Sequence, residues 1–158
     1  MNKNKPDNPG VYIPPPLIYA ATFMIAVFLQ KKIPVDDSFF KLFVAKVAGI
    51  IFLLVSLPLL VTSLRQFIRS RNTLVTIMPA ASLQTNGIYY RTRNPMYLGL
   101  AAVYLGLGFI IGNWWNFILF PLLLFIVQEY IIKREEKYLY RRFGQEYLNY
   151  KLSVRRWI

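Results

Sequence analysis

The sequence predicts an all-α polytopic membrane protein with about four transmembrane helices plus interfacial and C-terminal cytoplasmic helices. Three observations predict it. Of 158 residues, 56% are hydrophobic and 16% charged, against roughly 45–50% and about 25% in ordinary soluble domains. A chain of this length cannot enclose so much apolar surface in one core. The apolar residues also gather into four runs, with most of the charge placed between or beyond them.

The first run, Ile13 to Gln30, carries no charge. At about 1.5 Å per residue it is long enough for a hydrocarbon core of about 30 Å with little tilt. Pro14, Pro15 and Pro16 stand at its entrance, where a missing N–H costs little. Met1 to Gly10 is polar and expected to fray. Lys31-Lys32-Ile33-Pro34 follows the run instead of a small-residue cleavage site, so it reads as an uncleaved span. The second run is Phe39 to Leu64, with Lys41 and Lys46 in its first two turns, able to snorkel, and a kink expected at Pro58. The third is Met96 to Ile111, in which Gly99, Ala102 and Gly106 share one face and Gly108 and Gly112 form a G-x-x-x-G pair. Such small residues serve close helix packing, within the chain or in a homodimer. The fourth is Trp114 to Ile132, joined to the third by the interfacial turn Asn113-Trp114-Trp115-Asn116 and containing Pro121 and Glu129.

Four spans place the N-terminal tail, the loop 65–95 and the tail from 133 on one side. Of the 19 Lys and Arg, 15 lie there. The positive-inside rule then predicts cytoplasmic termini, and a cytoplasmic membrane location in a prokaryote. Charge clustered at span ends also argues against a nucleic-acid partner, whose sites spread Lys and Arg over a polar face; membrane lipids are the expected surroundings. His and Cys are both absent. No Cys/His metal site, Cys nucleophile or Ser-His-Asp triad is available. No strand precedes Gly106-Leu107-Gly108, so no dinucleotide-binding loop is read there.

The polar half holds the chemistry. Arg65 to Arg71 is a basic juxtamembrane strip, Thr73 to Gln84 is expected along the interface, and Thr85-Asn86-Gly87 marks a turn. Asn94-Pro95 reads as the N-cap and first residue of the third span. The fourth helix is expected to run on past Ile132. Glu129 and Glu136, seven apart, then share a face, with Glu135 about 100° round from Glu136. A carboxylate at the depth of Glu129 asks for a partner or a task. Leu139, Phe143 and Tyr147 form an apolar stripe that either packs on the loop or lies on lipid.

Thr85-Asn86-Gly87-Ile88-Tyr89, Arg93-Asn94-Pro95-Met96-Tyr97-Leu98-Gly99, Arg134-Glu135-Glu136 and Phe143-Gly144-Gln145-Glu146-Tyr147 with Tyr150 follow one another in this order. The series resembles the isoprenylcysteine carboxyl methyltransferase and phospholipid methyltransferase superfamily of integral membrane enzymes. The resemblance covers residues 72–158, which it marks as a catalytic half behind two N-terminal spans in 1–71. It implies methyl transfer from S-adenosylmethionine to a lipophilic small molecule or lipid. It also implies a cytoplasm-facing pocket contacted by Leu83, Gln84, Tyr89, Asn94, Pro95, Met96, Tyr97 and Glu135, with Arg93, Asn94, Glu135 and Glu136 as catalytic candidates. The isoprenylcysteine branch has His where Asn94 stands and Arg where Ile131 stands, so handling of a prenylcysteine substrate does not carry over.

Elementary chemistry fits the same residues. A sulfonium favours aromatic faces such as Tyr89 and Tyr97. A carboxylate favours a helix N-terminus or Arg93, and an ammonium group favours Glu135. In-line methyl transfer is largely a matter of positioning; an amine or phenol acceptor would also need a base, for which Glu129 and Glu136 are candidates. The residues alone also allow a non-enzymatic membrane scaffold subunit or a small transporter.

Overall fold

A computed structural model describes residues 7–70 and 79–157. Lys3, Lys5, Arg71 and residues 73–78, on which parts of the topology and interfacial expectations fall, lie outside the described residues. The chain is helical, with no strand among the described residues. The elements are α1 (Pro15–Lys32), α2 (Ser38–Lys41), α3 (Phe43–Arg69), a 3₁₀ turn (Gly87–Tyr90), α4 (Pro95–Ile111), α5 (Trp114–Ile126), a π-helical segment (Val127–Ile132), α6 (Lys133–Phe143) and α7 (Gln145–Ser153). From α5 to α6 the rod is continuous.

Among the described residues, two helices are long and apolar enough to cross a membrane: Phe43–Arg69, with mean hydropathy 2.5, and the rod Trp114–Phe143, with 1.8. Pro95–Ile111, with 17 residues, is apolar but shorter. Their outward faces carry exposed large apolar side chains, among them Val44, Ile51 and Leu54 on α3 and Ile118, Leu122 and Phe125 on α5.

α3 and α4 pack along their lengths through glycines. A Cβ added at Gly99 would lie 2.8 Å from the Leu60 side chain, and one at Gly106 would lie 2.9 Å from Leu53 and 3.0 Å from the Gly49 carbonyl oxygen. A backbone oxygen cannot step aside as a side chain can. Gly106→Ala is therefore expected to cost about 1–3 kcal/mol by overpacking, seen as a lowered melting temperature in detergent, whereas Gly108→Ala, whose neighbours are the Asn116 and Phe117 side chains, costs less. Gly108 is buried against α5, so this glycine serves an internal contact. Gly112 ends α4 at φ +76° with its N–H on the Gly108 carbonyl, 3.0 Å away, and the Asn113 side chain caps α5 by accepting the Trp115 N–H at 2.9 Å.

Four local expectations are corrected. The run from Phe39 is broken at Leu42, which is extended (φ −66°, ψ 142°). Lys41 thus belongs to the short α2, paired with Asp37 at 2.8 Å, and not to the span. Beside the break, Phe40 is buried among Phe109, Trp114 and Phe117, which anchors α2 against α4 and α5. The π-helical segment adds residues per turn, which re-aims α6 by about 100° relative to a pure α-helix. Glu129 and Glu136 consequently face different neighbours. Residues 7–10 do not fray. Asp7 pairs with Arg142, the Asn8 carbonyl accepts from Arg141 and the Gly10 carbonyl from Arg134, while Val11 is fully buried. Finally, residues 79–84 fold inward: the Ala80 N–H donates to Tyr138 Oη at 2.9 Å.

Candidate active site

The start of α4, the C-terminal end of α3, and α6 with α7 enclose a cavity of about 710 Å³. Its walls are mainly apolar. Leu83, Gln84, Tyr89, Asn94, Pro95 and Met96 line it, as do Arg93, Tyr97, Glu135 and Glu136. The motif residues therefore converge on one place, although up to about 50 positions separate them in the chain.

Two polar constellations sit in the wall. In the first, Tyr97 Oη donates to Glu135 Oε1 at 2.6 Å, and the Tyr97 carbonyl accepts from Tyr19 Oη at 3.1 Å, which ties the backbone of this first turn of α4 to α1. Among the described residues no cation pairs with Glu135. In the second, Glu136 is spanned by two guanidinium groups. Arg156 grips both oxygens, Nε–Oε1 and Nη2–Oε2 each at 2.9 Å, and Arg93 Nη1 stands 3.3 Å from Oε1. Arg93 Nη1 also donates to Tyr147 Oη at 3.3 Å. The bidentate bond holds the Arg156 guanidinium more firmly protonated than a free one.

The C-terminal tail locks this arrangement to α4. Arg93 N–H donates to the Arg155 carbonyl at 3.0 Å, and Asn94 Nδ2 to the Arg156 carbonyl at 2.8 Å. This corrects the expected cap: Asn94 occupies the N-cap position, but its side chain makes no capping bond and holds the tail instead. Tyr150 Oη donates to the Tyr89 carbonyl at 2.7 Å, and Tyr89, Tyr147, Tyr150 and Val154 form a buried cluster against Phe67, Leu83 and Phe143. The apolar stripe of α6 and α7 thus packs on the loop. Burial, with Glu136 adding to it, pushes the Tyr147 phenol up to about 12, so it stays neutral and able to donate.

A family model described as phospholipid methyltransferase matches residues 44–146. That is well over half of the 158 residues. The chain belongs to the phospholipid methyltransferase family. Over 66 residues it is 41% identical to an uncharacterized protein of Haemophilus influenzae, covering 40% of this chain and all of that one. Over 72 residues it is 38% identical to a protein named protein-S-isoprenylcysteine O-methyltransferase from Schizosaccharomyces pombe, covering 46% of this chain and 30% of the yeast protein. The chain thus spans less than a third of that relative's length. No solved structure matches it. The resemblance carried by the motif series is therefore shown, and the match to the phospholipid methyltransferase model runs from α3 into the first turn of α7.

Sequence reasoning missed Arg156, the residues Pro9 and Tyr12 before α1, and Leu60, Leu64 and Phe67 of α3, all beside Glu136 or in the cavity wall. Only Arg156 left a trace, since a carboxylate pair after an apolar helix asks for a cation beyond Arg93. Glu129 is placed elsewhere. It is partly exposed, outside the cavity and paired with Lys133 one turn on at 2.6 Å. Its partner is thus a solvated lysine, and Glu129→Gln is expected to change ligand binding and turnover less than about 2-fold, as exposed i,i+4 pairs are worth only about 0.3–0.5 kcal/mol.

Proposed function

We propose that this chain is a four-span membrane enzyme, with both termini cytoplasmic, that transfers methyl from S-adenosylmethionine to a lipophilic small molecule or lipid. The observation that carries the reading is the Glu135–Tyr97 pair set in a largely apolar cavity. A carboxylate in such surroundings without a cation is costly, and a cationic ligand relieves the cost. The donor set fits the methyl donor in its other parts too. The first-turn N–H groups of α4 and Arg93 suit a carboxylate, and aromatic walls suit a sulfonium.

S-adenosylmethionine supplies an electrophilic methyl on that sulfonium. The chain's own part is positioning and exclusion of water. Glu135 would hold the ammonium group, oriented by Tyr97. Arg93, itself held by Glu136 and Tyr147, would set the opposite end. Glu136 is clamped by two arginines, so its part is to position Arg93 and the tail. Leu60, Leu64, Leu100 and Ile132 lead the same cavity toward the apolar helices, which supports an acceptor with an apolar body. For the topology, the support is the apolar belt: α1 and α4 expose Met24, Phe28, Ile110 and Ile111 at their surfaces, as α3 and α5 do. The transporter alternative loses its one ion-site candidate with Glu129 paired at the surface.

Radiolabelled methyl transfer from S-adenosylmethionine into a lipid extract tests the reading. Label is expected in an apolar product, and its absence with folded protein and every extract fraction would overturn the proposal.

A further inference from the structure

Tyr89 reaches the cavity from the 3₁₀ turn, and little inside that turn fixes it. Four residues in 3₁₀ geometry make few bonds, and those are poorly aligned. In the turn and at its end, the Tyr89 N–H donates to the Asn86 carbonyl at 3.2 Å and the Arg91 N–H to the Ile88 carbonyl at 3.1 Å. The turn is also held from outside, on two sides. From α7, Tyr150 Oη donates to the Tyr89 carbonyl at 2.7 Å. From the last turns of α3, Gln66 Nε2 donates to the Asn86 carbonyl at 2.7 Å, using the lone pair that the Tyr89 N–H leaves. Gln66 lies close over the chain there. A Cβ added at Gly87 would stand 2.6 Å from Gln66 Oε1, so the approach needs the bare glycine, which also carries φ +62°. Next along α3, Phe67 packs on the cluster that holds Tyr89. The Tyr89 side chain is buried. Burial, then Tyr150 and Glu135, push the pKa of its phenol up, so the ring stands within electrostatic reach of the Glu135 carboxylate.

We propose that Gln66 is a positioning residue of the cavity, whose amide sets the 3₁₀ turn so that Tyr89 keeps its place in the wall near Glu135. What the ring meets there, a sulfonium nucleoside, rests on the methyl-donor reading; where the ring stands rests on the two clamps alone. Asn86 and Tyr89 are the carbonyls on either side of the turn, and each is held by a side chain from a different helix. With the Gln66 donor removed, the Asn86 carbonyl is free to take water, so the global fold loses little. The turn then keeps only the Tyr150 clamp and can swing about it. Gln66 does not line the cavity, so its effect on a ligand passes through the turn.

Two variants of the full-length protein test this. Gln66→Met keeps the length and volume and removes the donor, and Gln66→Glu keeps the shape and sets a carboxylate against the Asn86 carbonyl. Hydrogen exchange in detergent, with no ligand present, is expected to run about 5-fold faster over residues 86–92 in both variants and to stay unchanged over α4, the loss of one hydrogen bond expressed as local opening. Unchanged exchange over 86–92 in Gln66→Met, or in Gln66→Glu should the Met variant not fold, overturns the proposal. Calorimetry with S-adenosylhomocysteine reads the second link. Each variant should bind it about 5-fold more weakly than the wild type. In a Tyr89→Ala background the same substitutions should cost less than about 2-fold, because the residue through which Gln66 acts is gone. Unchanged binding by both variants, or the full loss again in that background, overturns the proposal. A wild-type protein that binds no S-adenosylhomocysteine overturns the methyl-donor reading instead, and the exchange result then decides the clamp by itself.

Discussion

Glu135→Ala is expected to weaken binding of S-adenosylhomocysteine at least about 30-fold and to abolish methyl transfer, with the fold retained. Removing one partner of a buried, charge-assisted bond costs roughly 2–5 kcal/mol, and every 1.4 kcal/mol is tenfold in affinity. The fold survives because Glu135 touches Tyr97 and no cation among the described residues, so its loss strands no opposite charge. Tyr97→Phe removes the hydroxyl that orients the carboxylate but leaves the charge, and is expected to cost about 2–10-fold, the value of one ordinary hydrogen bond. Glu135→Gln separates the two contributions. The amide oxygen still accepts from Tyr97 Oη, so the local geometry stays, while the charge is gone. If charge grips the ligand, Gln behaves as Ala in calorimetry. Full binding by Glu135→Gln would show that the carboxylate only positions Tyr97, and would remove the main support for a cationic methyl donor in this cavity.

The sequence made the helical path legible wherever the cause of an element is local. Pro95 opens α4 because its ring already has helical φ and needs no N–H partner, and Gly112 closes it because the left-handed turn costs glycine nothing. The features that were not legible have distant causes. Leu42 is an apolar residue with no turn signal of its own, and the break there stands next to Phe40, which packs on distant residues near position 110. The π segment Val127–Ile132 has a composition that suits an α-helix equally well, yet it lies between Glu129 and Glu136 and offsets the face they would share. Asn94 has the right residue type for a cap, and the tail carbonyl 62 residues away wins its amide. The same holds for the cavity. The motif residues were readable as an ordered series, and they line one wall. The opposite wall, from Tyr12 to Leu64, is assembled by helix packing, which leaves no trace in local spacing.

Glu136→Ala is expected to be the most destabilising single substitution in the site, at about 3–5 kcal/mol, the usual cost of leaving a buried ion-pair partner uncompensated. The Arg93 side chain is only 9% exposed and Arg156 28%, and without the carboxylate two guanidinium groups face each other with no anion between them. For a chain of this size that loss corresponds to a fall of roughly 10 °C in melting temperature. Arg156→Ala should cost less, because Glu136 keeps Arg93 and the tail keeps its backbone bonds from Asn94 and Arg93. The two substitutions share one ion cluster, so their effects should not add; the double variant should be more stable than the sum of the single losses implies. The kinetic pattern follows from the same geometry. Because the carboxylate is committed to two arginines, Glu136→Gln, which keeps the shape and some of the hydrogen bonds, should lose stability while retaining part of its turnover, with KM for the methyl donor rising as Arg93 loosens. A Glu136→Gln protein with an unchanged melting temperature and no turnover would instead make Glu136 the reacting base, and the clamp would then have to open in every catalytic cycle.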